Sequence, residues 1–462
     1  MKKQLKPSQN RMIIKTNRFL LKKMKLKYVN KTYLNWFNDE EVKKFIEFKP
    51  KNKLSVLKEN IETQLKEKNV IFFAIFFKKK HIGNIKFEKL NFKQSTAYLG
   101  ILIGDKKWRG KGVGFEVIDA ACEHLFQKFK ISKIYLGVQK RNTKALSLYL
   151  KSGFVFVKNT SSKSYLMCRN YYNNKIVLGT AQFGLNYGIA NKAGKISIKD
   201  IRKIKSLSLK KGMTTLETAQ AYGNSEEIIG EINFKNFNIV SKIKKINYEN
   251  ISNLKRFLDL VVRSSLRKLK LKKIYAFLFH DSRDLLSKNG KSIFQAVNDL
   301  KKKGIVKNIG VAVYDIIELE SLIKKFRFDI ISIPFNLFDR RFENSKIIRK
   351  LKRENVKIYG RSIFLQGLLL MNFKNLPIFF KKWKKVFYKY ESFIFQKKIS
   401  KLDLCLNHAL NSKILNKVVV GVDNFTHFEK IINTSLRIKR IFLPSFGKID
   451  YKLINPTKWK IK

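Results

Sequence analysis

Cysteine and histidine are scarce in this chain. Its three cysteines, Cys122, Cys168 and Cys405, are far apart and odd in number, so neither a disulfide framework nor a paired-cysteine metal site can be drawn. The five histidines are scattered, without an HxxxH or HExxH spacing that would place two imidazoles on one helical face. We therefore expect reduced thiols in a reducing compartment and no bound metal.

Long apolar runs are also missing, because lysines interrupt every hydrophobic stretch before the roughly 20 residues that a membrane-spanning helix needs. Residues 1–28 are basic, but they have neither a continuous apolar segment nor a small-residue cleavage site, so they do not indicate a secretory signal. We expect no transmembrane segment and a cytoplasmic location. The basic aromatic stretch 379–387 is compatible with a membrane surface, although its spacing is more typical of a helix packed on a core.

Acidic residues are few. The chain has 34 Asp and Glu against 99 Lys and Arg, which gives a net charge of +65. A field of that sign attracts nucleic acid, anionic lipid and acidic substrates. The basic residues are spread over the whole chain, and lysine outnumbers arginine. We interpret them as a solvated basic surface and expect no specific nucleic-acid site.

The apolar content is sufficient for real cores. Hydrophobic residues make up 44% of the 462 residues and aromatic residues 13%, which excludes wholesale disorder, and the length favours two or three domains. Up to about residue 170, strands and helices alternate irregularly. The pattern there predicts helices over 30–47, 113–129 and 142–151, and strands over 70–77, 81–87, 97–103 and 133–138.

From residue 175 onward, short apolar strands recur, each followed by a basic helical pattern. We count eight such strands, at 176–179, 213–217, 237–242, 274–279, 308–313, 328–333, 356–360 and 417–421. Eight strand–helix units in a segment of this length are typical of a (β/α)8 TIM barrel. We therefore predict an α/β two-domain chain, with a mixed α+β domain over residues 1–172 and a barrel over residues 173–462.

A glycine-rich turn follows the strand at 97–103. It contains Arg109, Gly110, Gly112, Val113 and Gly114 and leads directly into a helix. Such a turn presents backbone N–H groups and a helix N-terminus to an anion. It is not a Walker loop, because no Gly-Lys-Ser/Thr sequence closes it, and on its own it is weak evidence.

Together with the segment 138–154, which contains Asn142 and Tyr149, the turn resembles the GNAT family of acetyl-CoA-dependent N-acetyltransferases over about residues 12–170. The resemblance implies that the turn holds the coenzyme A pyrophosphate, that Asn142 contacts the cofactor arm and that Tyr149 is the general acid for the thiolate. Tyr149 is also compatible with a core aromatic role. Glu88 is a candidate base that we do not assign.

Polar residues also follow three consecutive barrel strands. Glu217 ends the second strand and Tyr222 follows it, Lys242 ends the third and His280 follows the fourth. Because the carboxyl ends of parallel strands meet at one mouth, we expect these side chains to lie together. An ammonium beside a phenol stabilises the phenolate and makes the phenol a useful proton donor.

The segment from Ile176 to about Asn433 resembles the aldo/keto reductase family, through its Thr218-Ala-x-x-Tyr-Gly-x-Ser-Glu226 pattern and the segments 178–184, 333–341 and 361–369. The resemblance implies that Tyr222 is the general acid, that Lys242 assists it, that His280 orients a carbonyl and that NADP(H) supplies hydride, with NAD(H) as the alternative. It also implies cofactor contacts from a wider set, namely Ser332, Arg361, Ser362, Gly421 and Asn424.

The chain departs from that family at three places. Glu217 replaces an aspartate, so the longer carboxylate must fold back or displace Lys242. Ala312, Val313 and Ser332 occur where the family commonly holds the carboxamide with Ser, Asn and Gln, and Arg361 occurs where many members have an aromatic residue. A barrel without redox turnover therefore stays an alternative.

The two resemblances predict a bifunctional enzyme that acts on one small molecule. Residues 33–42 resemble GNAT members that acetylate nucleotide-linked amino sugars for surface glycans. The alternatives are a protein or small-amine acetyltransferase joined to a general or redox-inactive reductase, and a non-enzymatic barrel bound to an acidic partner. The sequence gives no oligomeric state.

Overall fold

The structure is a computed structural model that describes residues 12–46, 48–245, 253–438 and 441–460. Contacts divide the chain into two compact units, Met1–Tyr171 and Tyr172–Lys462, each with its own hydrophobic core. Within the described ranges, no helix is long and apolar enough to cross a bilayer, and no three His, Cys, Asp or Glu side chains are grouped as metal ligands. The start of the N-terminal segment, residues 1–11, lies outside these ranges.

The first unit is built on an eight-stranded sheet. In chain order its elements are β1 (Ile13–Lys15), β2 (Leu20–Lys23), α1 (Lys31–Trp36), α2 (Glu40–Lys43), α3 (Leu54–Lys66), β3 (Ile71–Phe77), β4 (Lys80–Asn91), β5 (Thr96–Ile103), α4 (Val113–His124), β6 (Lys133–Gln139), α5 (Thr143–Lys151), β7 (Phe154–Ser161) and β8 (Ser164–Asn170). The spatial order is β1-β2-β3-β4-β5-β6-β8-β7. All neighbouring strands are antiparallel except β5 and β6, which are parallel.

The single helix predicted over 30–47 is wrong, because the structure has two short helices there. Asn30 caps α1 as expected and accepts a hydrogen bond from the Tyr33 N–H at 3.0 Å. Asp39, however, accepts a hydrogen bond from the Glu41 N–H at 2.9 Å and so begins α2. A short carboxylate competes with the helix for backbone N–H groups, which ends one helix and starts another. Residue 47 lies outside the described residues.

The second unit is a closed barrel of eight parallel strands. After α6 (Tyr171–Lys175), its elements are β9 (Ile176–Gly179), α7 (Ala181–Gly184), α8 (Ile198–Lys210), β10 (Thr215–Glu217), α9 (Ser225–Ile232), β11 (Asn238–Ile243), α10 (Leu254–Lys268), β12 (Ile274–Phe279), α11 (Arg283–Leu286), α12 (Gly290–Lys302), β13 (Val306–Ala312), α13 (Ile316–Lys325), β14 (Ile330–Pro334), α14 (Lys346–Arg353), β15 (Lys357–Arg361), α15 (Lys384–Lys397), α16 (Lys401–Asn411), β16 (Lys417–Val420), α17 (Phe425–Ser435) and α18 (Tyr451–Ile454). β16 pairs with β9 and closes the ring. This confirms the predicted (β/α)8 barrel.

Side chains of the barrel strands alternate between the interior and the surrounding helices. One interior cluster contains Val177, Val240, Ala276, Leu278, Ile330, Tyr359 and Val419. Side-chain direction repeats every two residues along a strand, so the next interior positions lie closer to the carboxyl end. Those positions are occupied by Lys242, His280, Ser332, Arg361 and Gly421.

Candidate active sites

The first candidate site is the loop between β5 and α4. Gly110 and Gly112 both have φ of +74°, a left-handed conformation that glycine adopts without strain. Gly112 immediately precedes α4, and no side chain caps this helix. The first backbone N–H groups of a helix have no acceptor within the helix, and with the helix dipole they favour a bound anion. The loop therefore has the donors that a pyrophosphate requires.

Gly114 allows two helices to approach closely. A β carbon at Gly114 would lie 2.7 Å from Cδ2 of Leu148 on α5. The next residue on α5 is Tyr149, whose ring centroid lies 5.9 Å from that of Phe154. Burial raises the pKa of Tyr149 to about 12, so its hydroxyl keeps its proton at neutral pH. The packing at Gly114 thus positions a residue that can donate a proton.

Arg109 supports the loop from within the first unit. Its guanidinium donates to the carbonyl oxygens of Ile103 and Gly104, each at 2.9 Å. It also donates to Asp39 Oδ2 at 2.9 Å and to Glu41 Oε2 at 3.2 Å. These bonds tie the end of β5 to α2. The side chain therefore positions these elements, and its contact with the cofactor stays a prediction.

A gap between strands lies beside the loop. β5 and β6 pair only at their first residues, from Thr96 opposite Lys133 to Tyr98 opposite Tyr135. Beyond these pairs the facing strand edges offer backbone groups to an extended ligand. Asn142 begins α5, where its Oδ1 accepts a hydrogen bond from the Ala145 N–H at 3.1 Å. The loop and the gap together fit a long cofactor that carries phosphate groups, such as acetyl-CoA.

The structure does not favour Glu88 as the acetyltransferase base. Its Oε2 forms an ion pair with Lys86 Nζ at 2.7 Å. His81, which sequence reasoning did not single out, lies on the same strand, and its Nε2 forms a hydrogen bond with Asn84 Oδ1 at 2.9 Å. Burial lowers the pKa of His81, so the imidazole is neutral.

The second candidate site lies at the carboxyl end of the barrel strands. Lys242 Nζ donates to Glu217 Oε1 at 2.6 Å and to the Tyr222 hydroxyl at 3.0 Å. The rings of Tyr222 and His280 are arranged edge to face, with centroids 5.9 Å apart. The structure therefore brings together all four residues that the strand ends predicted.

The charges at this site are set by burial and by mutual contact. Burial disfavours the ammonium of Lys242, but Glu217 and Tyr222 together outweigh that effect and raise the pKa of Lys242 above its ordinary value. Burial, and then the positive charges of Lys242 and Arg361, lower the pKa of His280 to about 3. At neutral pH the site thus combines a charged lysine with a neutral imidazole, which can donate a hydrogen bond.

The additional methylene of Glu217 does not displace Lys242. One carboxylate oxygen, Oε1, holds the ammonium while Nζ stays in contact with Tyr222. The other oxygen, Oε2, is buried, and no hydrogen-bond donor reaches it from the described parts of the chain. An unsatisfied buried acceptor lowers stability. The longer side chain is therefore accommodated at a cost in stability.

A hydroxyl network fixes the loop that carries Tyr222. Ser225 Oγ donates to Thr180 Oγ1 at 2.9 Å and lies 3.1 Å from Thr218 Oγ1. Gly184 packs against the same loop, since a β carbon there would lie 1.9 Å from the Tyr222 carbonyl oxygen. These contacts explain why the Thr-Ala-x-x-Tyr-Gly-x-Ser pattern and the glycine at 184 occur in one chain.

Two of the predicted cofactor contacts already have partners within the protein. The Arg361 guanidinium donates to the Val313 carbonyl at 3.1 Å and lies 4.3 Å from the centroid of the Tyr314 ring. Asn424 caps α17, where its Oδ1 accepts a hydrogen bond from the His427 N–H at 2.8 Å. Both residues are at the carboxyl end of the barrel, as expected.

Two buried oxygen atoms at this end are compatible with a bound cofactor. Gln182 Oε1 and Ser332 Oγ are buried without a hydrogen-bond partner in the described ranges. Gly421 lies against the Gln182 amide, where a β carbon would be 3.0 Å from Nε2. Ser362, next to Arg361, has a positive φ of 59°. Unsatisfied amide and hydroxyl groups suit the carboxamide and phosphate groups of a nicotinamide dinucleotide.

Sequence reasoning missed Gln182, Tyr187 and Tyr314. Gln182 follows β9 closely and Tyr314 follows β13, so their position after a barrel strand was the signal that could have found them. Burial raises the pKa of Tyr187 to about 12, and Tyr222 and Arg361 also act on it. Tyr187 lies in the irregular segment after α7. No periodic pattern there indicates which way a side chain points.

Comparison with known proteins agrees with this geometry. The family model "Aldo/keto reductase family" matches residues 175–441, and the model "Acetyltransferase (GNAT) domain" matches residues 18–155. A spermine/spermidine N(1)-acetyltransferase of Bacillus subtilis (strain 168) is 33% identical over 64 residues, which are 14% of this chain and 42% of that protein. The chain therefore spans 42% of the length of the curated relatives it matches.

Two solved structures are similar to parts of the chain. The holo form of an aldo-keto reductase from Bacillus halodurans has a TM-score of 0.47 and 14% identity, over 63% of this chain and 93% of that one. A RimL ribosomal L7/L12 α-N-protein acetyltransferase in complex with coenzyme A has a TM-score of 0.32 and 13% identity, over 34% of this chain and 98% of that one. With a family model that matches more than half of its residues, the chain belongs to the aldo/keto reductase family, and it carries a GNAT acetyltransferase domain ahead of the barrel.

Proposed function

We propose that the barrel reduces a carbonyl group with a nicotinamide dinucleotide, NADP(H) in the first instance and NAD(H) as the alternative. The observation that carries this proposal is the buried contact of Lys242 with both Glu217 and Tyr222, beside a neutral His280. A nicotinamide dinucleotide bound there would supply the hydride for the carbonyl carbon. Tyr222 donates its proton to the carbonyl oxygen, Lys242 stabilises the phenolate, and His280 donates a hydrogen bond that orients the carbonyl.

Residues around this centre hold the dinucleotide in the proposal. Gln182 and Ser332 offer the unsatisfied oxygens described above, and Gly421 leaves room beside the amide. Ser362 directly follows β15, and Asn424 ends the loop between β16 and α17. Arg361 lies near the reacting groups, because its charge acts on His280.

The first unit, in the same proposal, transfers an acetyl group from acetyl-CoA to an amine. Backbone N–H groups of Gly110, Gly112, Val113 and Gly114 bind the pyrophosphate. The amine attacks the thioester carbonyl, the C–S bond breaks and the amine releases one proton to solvent. Tyr149 donates a proton to the departing thiolate, which its protonated hydroxyl permits. Asn142 lies at the start of α5 and contacts the cofactor arm.

The substrate that suits both chemistries is a nucleotide-linked amino sugar that also carries a keto group, handled in the cytoplasm. An amino group serves the acetyltransferase and a carbonyl serves the reductase, so one molecule engages both sites. The net charge of +65 supports an anionic substrate such as a sugar nucleotide.

A mass-spectrometric assay tests this proposal. The full chain is incubated with acetyl-CoA, NADPH and a panel of nucleotide-linked amino sugars, beside the variants Tyr149→Phe and Tyr222→Phe. We expect products that gain an acetyl group and two hydrogens, with the first gain reduced in Tyr149→Phe and the second lost in Tyr222→Phe. Acetylation without reduction by the wild-type chain would contradict the bifunctional proposal.

A polyamine is the second candidate for the acetyl acceptor. The relative from Bacillus subtilis is named as a spermine/spermidine acetyltransferase, although it matches over only 64 residues. A strongly basic protein repels a polycation, which disfavours this candidate. Spermidine is therefore included in the same panel, and its acetylation in preference to every sugar would favour the polyamine.

A further inference from the structure

Arg361 is a cationic side chain that the proposed proton transfer does not use. It ends β15 at an interior position two residues beyond Tyr359, at the same mouth as Tyr222 and His280. Its guanidinium donates one hydrogen bond, from a terminal nitrogen to the Val313 carbonyl at 3.1 Å. An arginine side chain carries five N–H donors, so most of its donors remain for a ligand.

The charge of Arg361 has no counter-ion among the residues that the structure describes. Among the described residues no carboxylate forms an ion pair with it, whereas the nearby Lys242 is neutralised by Glu217 at 2.6 Å. Its positive charge is felt at the reacting groups, since Arg361 contributes to the low pKa of His280 and acts on Tyr187. A half-buried cation without a counter-ion is costly unless a ligand supplies one.

The Tyr314 ring orients the guanidinium. The Tyr314 ring lies under it, with 4.3 Å between the guanidinium carbon and the ring centroid. Tyr314 is itself held by Arg341, which donates to the Tyr314 carbonyl at 3.0 Å. Tyr187 lies near enough for Arg361 to act on its pKa. A stacked, oriented guanidinium binds a carboxylate or phosphate through two parallel hydrogen bonds.

We infer that Arg361 is a specificity-determining residue, which binds an anionic substituent of the carbonyl substrate and selects for carbonyl compounds that carry a carboxylate or phosphate. This inference rests on the proposed reductase function and names the substrate class for the same site. The pyrophosphate of the dinucleotide is a second anion that Arg361 could bind. The experiment therefore distinguishes the substrate's anion from the pyrophosphate.

The test compares matched substrates with and without the anion. Pyruvate is paired with methyl pyruvate, and 4-carboxybenzaldehyde with methyl 4-formylbenzoate, which places the carboxylate at two distances from the carbonyl. The kcat/KM ratio within each pair is measured for the full chain with NADPH, for Arg361→Met, for Arg361→Lys, and for the control Arg263→Met. Arg263 is exposed on α10 and pairs with Asp259.

We expect Arg361→Met to lower the ratio of acid to ester by about tenfold or more for at least one pair, mainly through KM, because a charge-assisted bidentate contact is lost. Arg361→Lys is expected to recover part of the ratio, and Arg263→Met to leave it unchanged. An acid-to-ester ratio that is equal in the wild type and in Arg361→Met for both pairs would overturn the inference.

Two binding measurements keep the inference apart from the proposed function. The affinity of 4-methylbenzoate, which has a carboxylate and no reducible carbonyl, is measured by calorimetry for the wild type and Arg361→Met. Weaker binding in the variant supports the anion site even if no carbonyl is reduced, and equal binding counts against it. Loss of NADPH affinity in Arg361→Met with an unchanged acid-to-ester ratio would assign the arginine to the dinucleotide instead.

Discussion

The Glu217 carboxylate has two effects in the barrel. Oε1 neutralises Lys242, and the pair is almost wholly buried, with 2% and 3% of the side chains exposed for lysine and glutamate. Oε2 lacks a donor in the described part of the molecule. Removing one partner of a buried ion pair leaves a buried charge without compensation, which costs about 3–5 kcal/mol.

We therefore expect Glu217→Ala to lower the free energy of unfolding of the barrel by about 3–5 kcal/mol. Glu217→Asp keeps a carboxylate for Lys242 and is expected to cost less. Urea unfolding followed by circular dichroism gives both values. Glu429→Ala, which changes an exposed glutamate on α17, is the control. An equal loss of unfolding free energy in Glu429→Ala and in Glu217→Ala would contradict a stabilising role for the buried Glu217–Lys242 ion pair.

His280 gives the barrel a pH dependence of known sign. The pKa of His280 in the folded protein is about 3, against about 6.5 in an unfolded chain, so the unfolded state binds more protons between these values. Stability must therefore fall as the pH is lowered through this window, by about 2 kcal/mol from this group at pH 5. The loss is absent above about pH 7.

We expect His280→Gln to unfold with a shallower pH dependence between about pH 6.5 and 4 than the wild type. His427→Gln, at an exposed position, is the matched control. The measurement is the free energy of urea unfolding at several pH values. Parallel curves for wild type and His280→Gln would show that this histidine is not buried in its neutral form.

At the scale of elements, the approach of α4 to α5 positions Tyr149. A β carbon at Gly114 would lie 2.7 Å from Leu148 Cδ2, so Gly114→Ala must move the Leu148 side chain, which neighbours Tyr149 on α5. We expect Gly114→Ala to lower kcat for acetyl transfer by about tenfold or more, since small displacements of a proton donor are costly. The rate is measured with any amine that the first unit acetylates.

The double variant Gly114→Ala/Leu148→Ala tests the cause of that loss. Removing the Leu148 side chain takes away the clash, so part of the rate is expected to return. Leu148→Ala alone is the control. A double variant that is as slow as the product of the two single effects would show that Gly114 is needed for another reason.

The elements differ in how far sequence could predict them. The number and order of the eight barrel strands were predictable, because short apolar runs alternate with amphipathic helices. A closed barrel needs eight such units, so each apolar run in the series is expected to be a strand. The helix over 30–47 was not, because Asp39 was compatible with a helix interior in the pattern. Its competition for the Glu41 N–H is a local hydrogen bond that periodicity does not report.

At the scale of the whole molecule, charge is the feature most open to test. The net charge of +65 predicts non-specific retention on nucleic acid that depends steeply on salt. We expect two unrelated DNA duplexes to bind equally at about 50 mM salt and to be released by about 300 mM. Fluorescence anisotropy measures this, and salt-resistant preference for one duplex would contradict the absence of a specific site.

The candidate sites were predictable in part. Glu217, Tyr222, Lys242 and His280 could be placed together because parallel strands end at one mouth. The positioning role of Arg109 could not be predicted, because its four acceptors come from separate segments that only the folded unit brings near.

The central claim is that Tyr222, held by Lys242, gives its proton to a carbonyl oxygen. The most direct measurement is NADPH oxidation by the full chain with a panel of aldehydes and ketones, compared between wild type and Tyr222→Phe, with dinucleotide binding followed separately by fluorescence. The account predicts that the variant binds the dinucleotide but loses kcat by about a hundredfold or more. Equal rates in wild type and variant would contradict it.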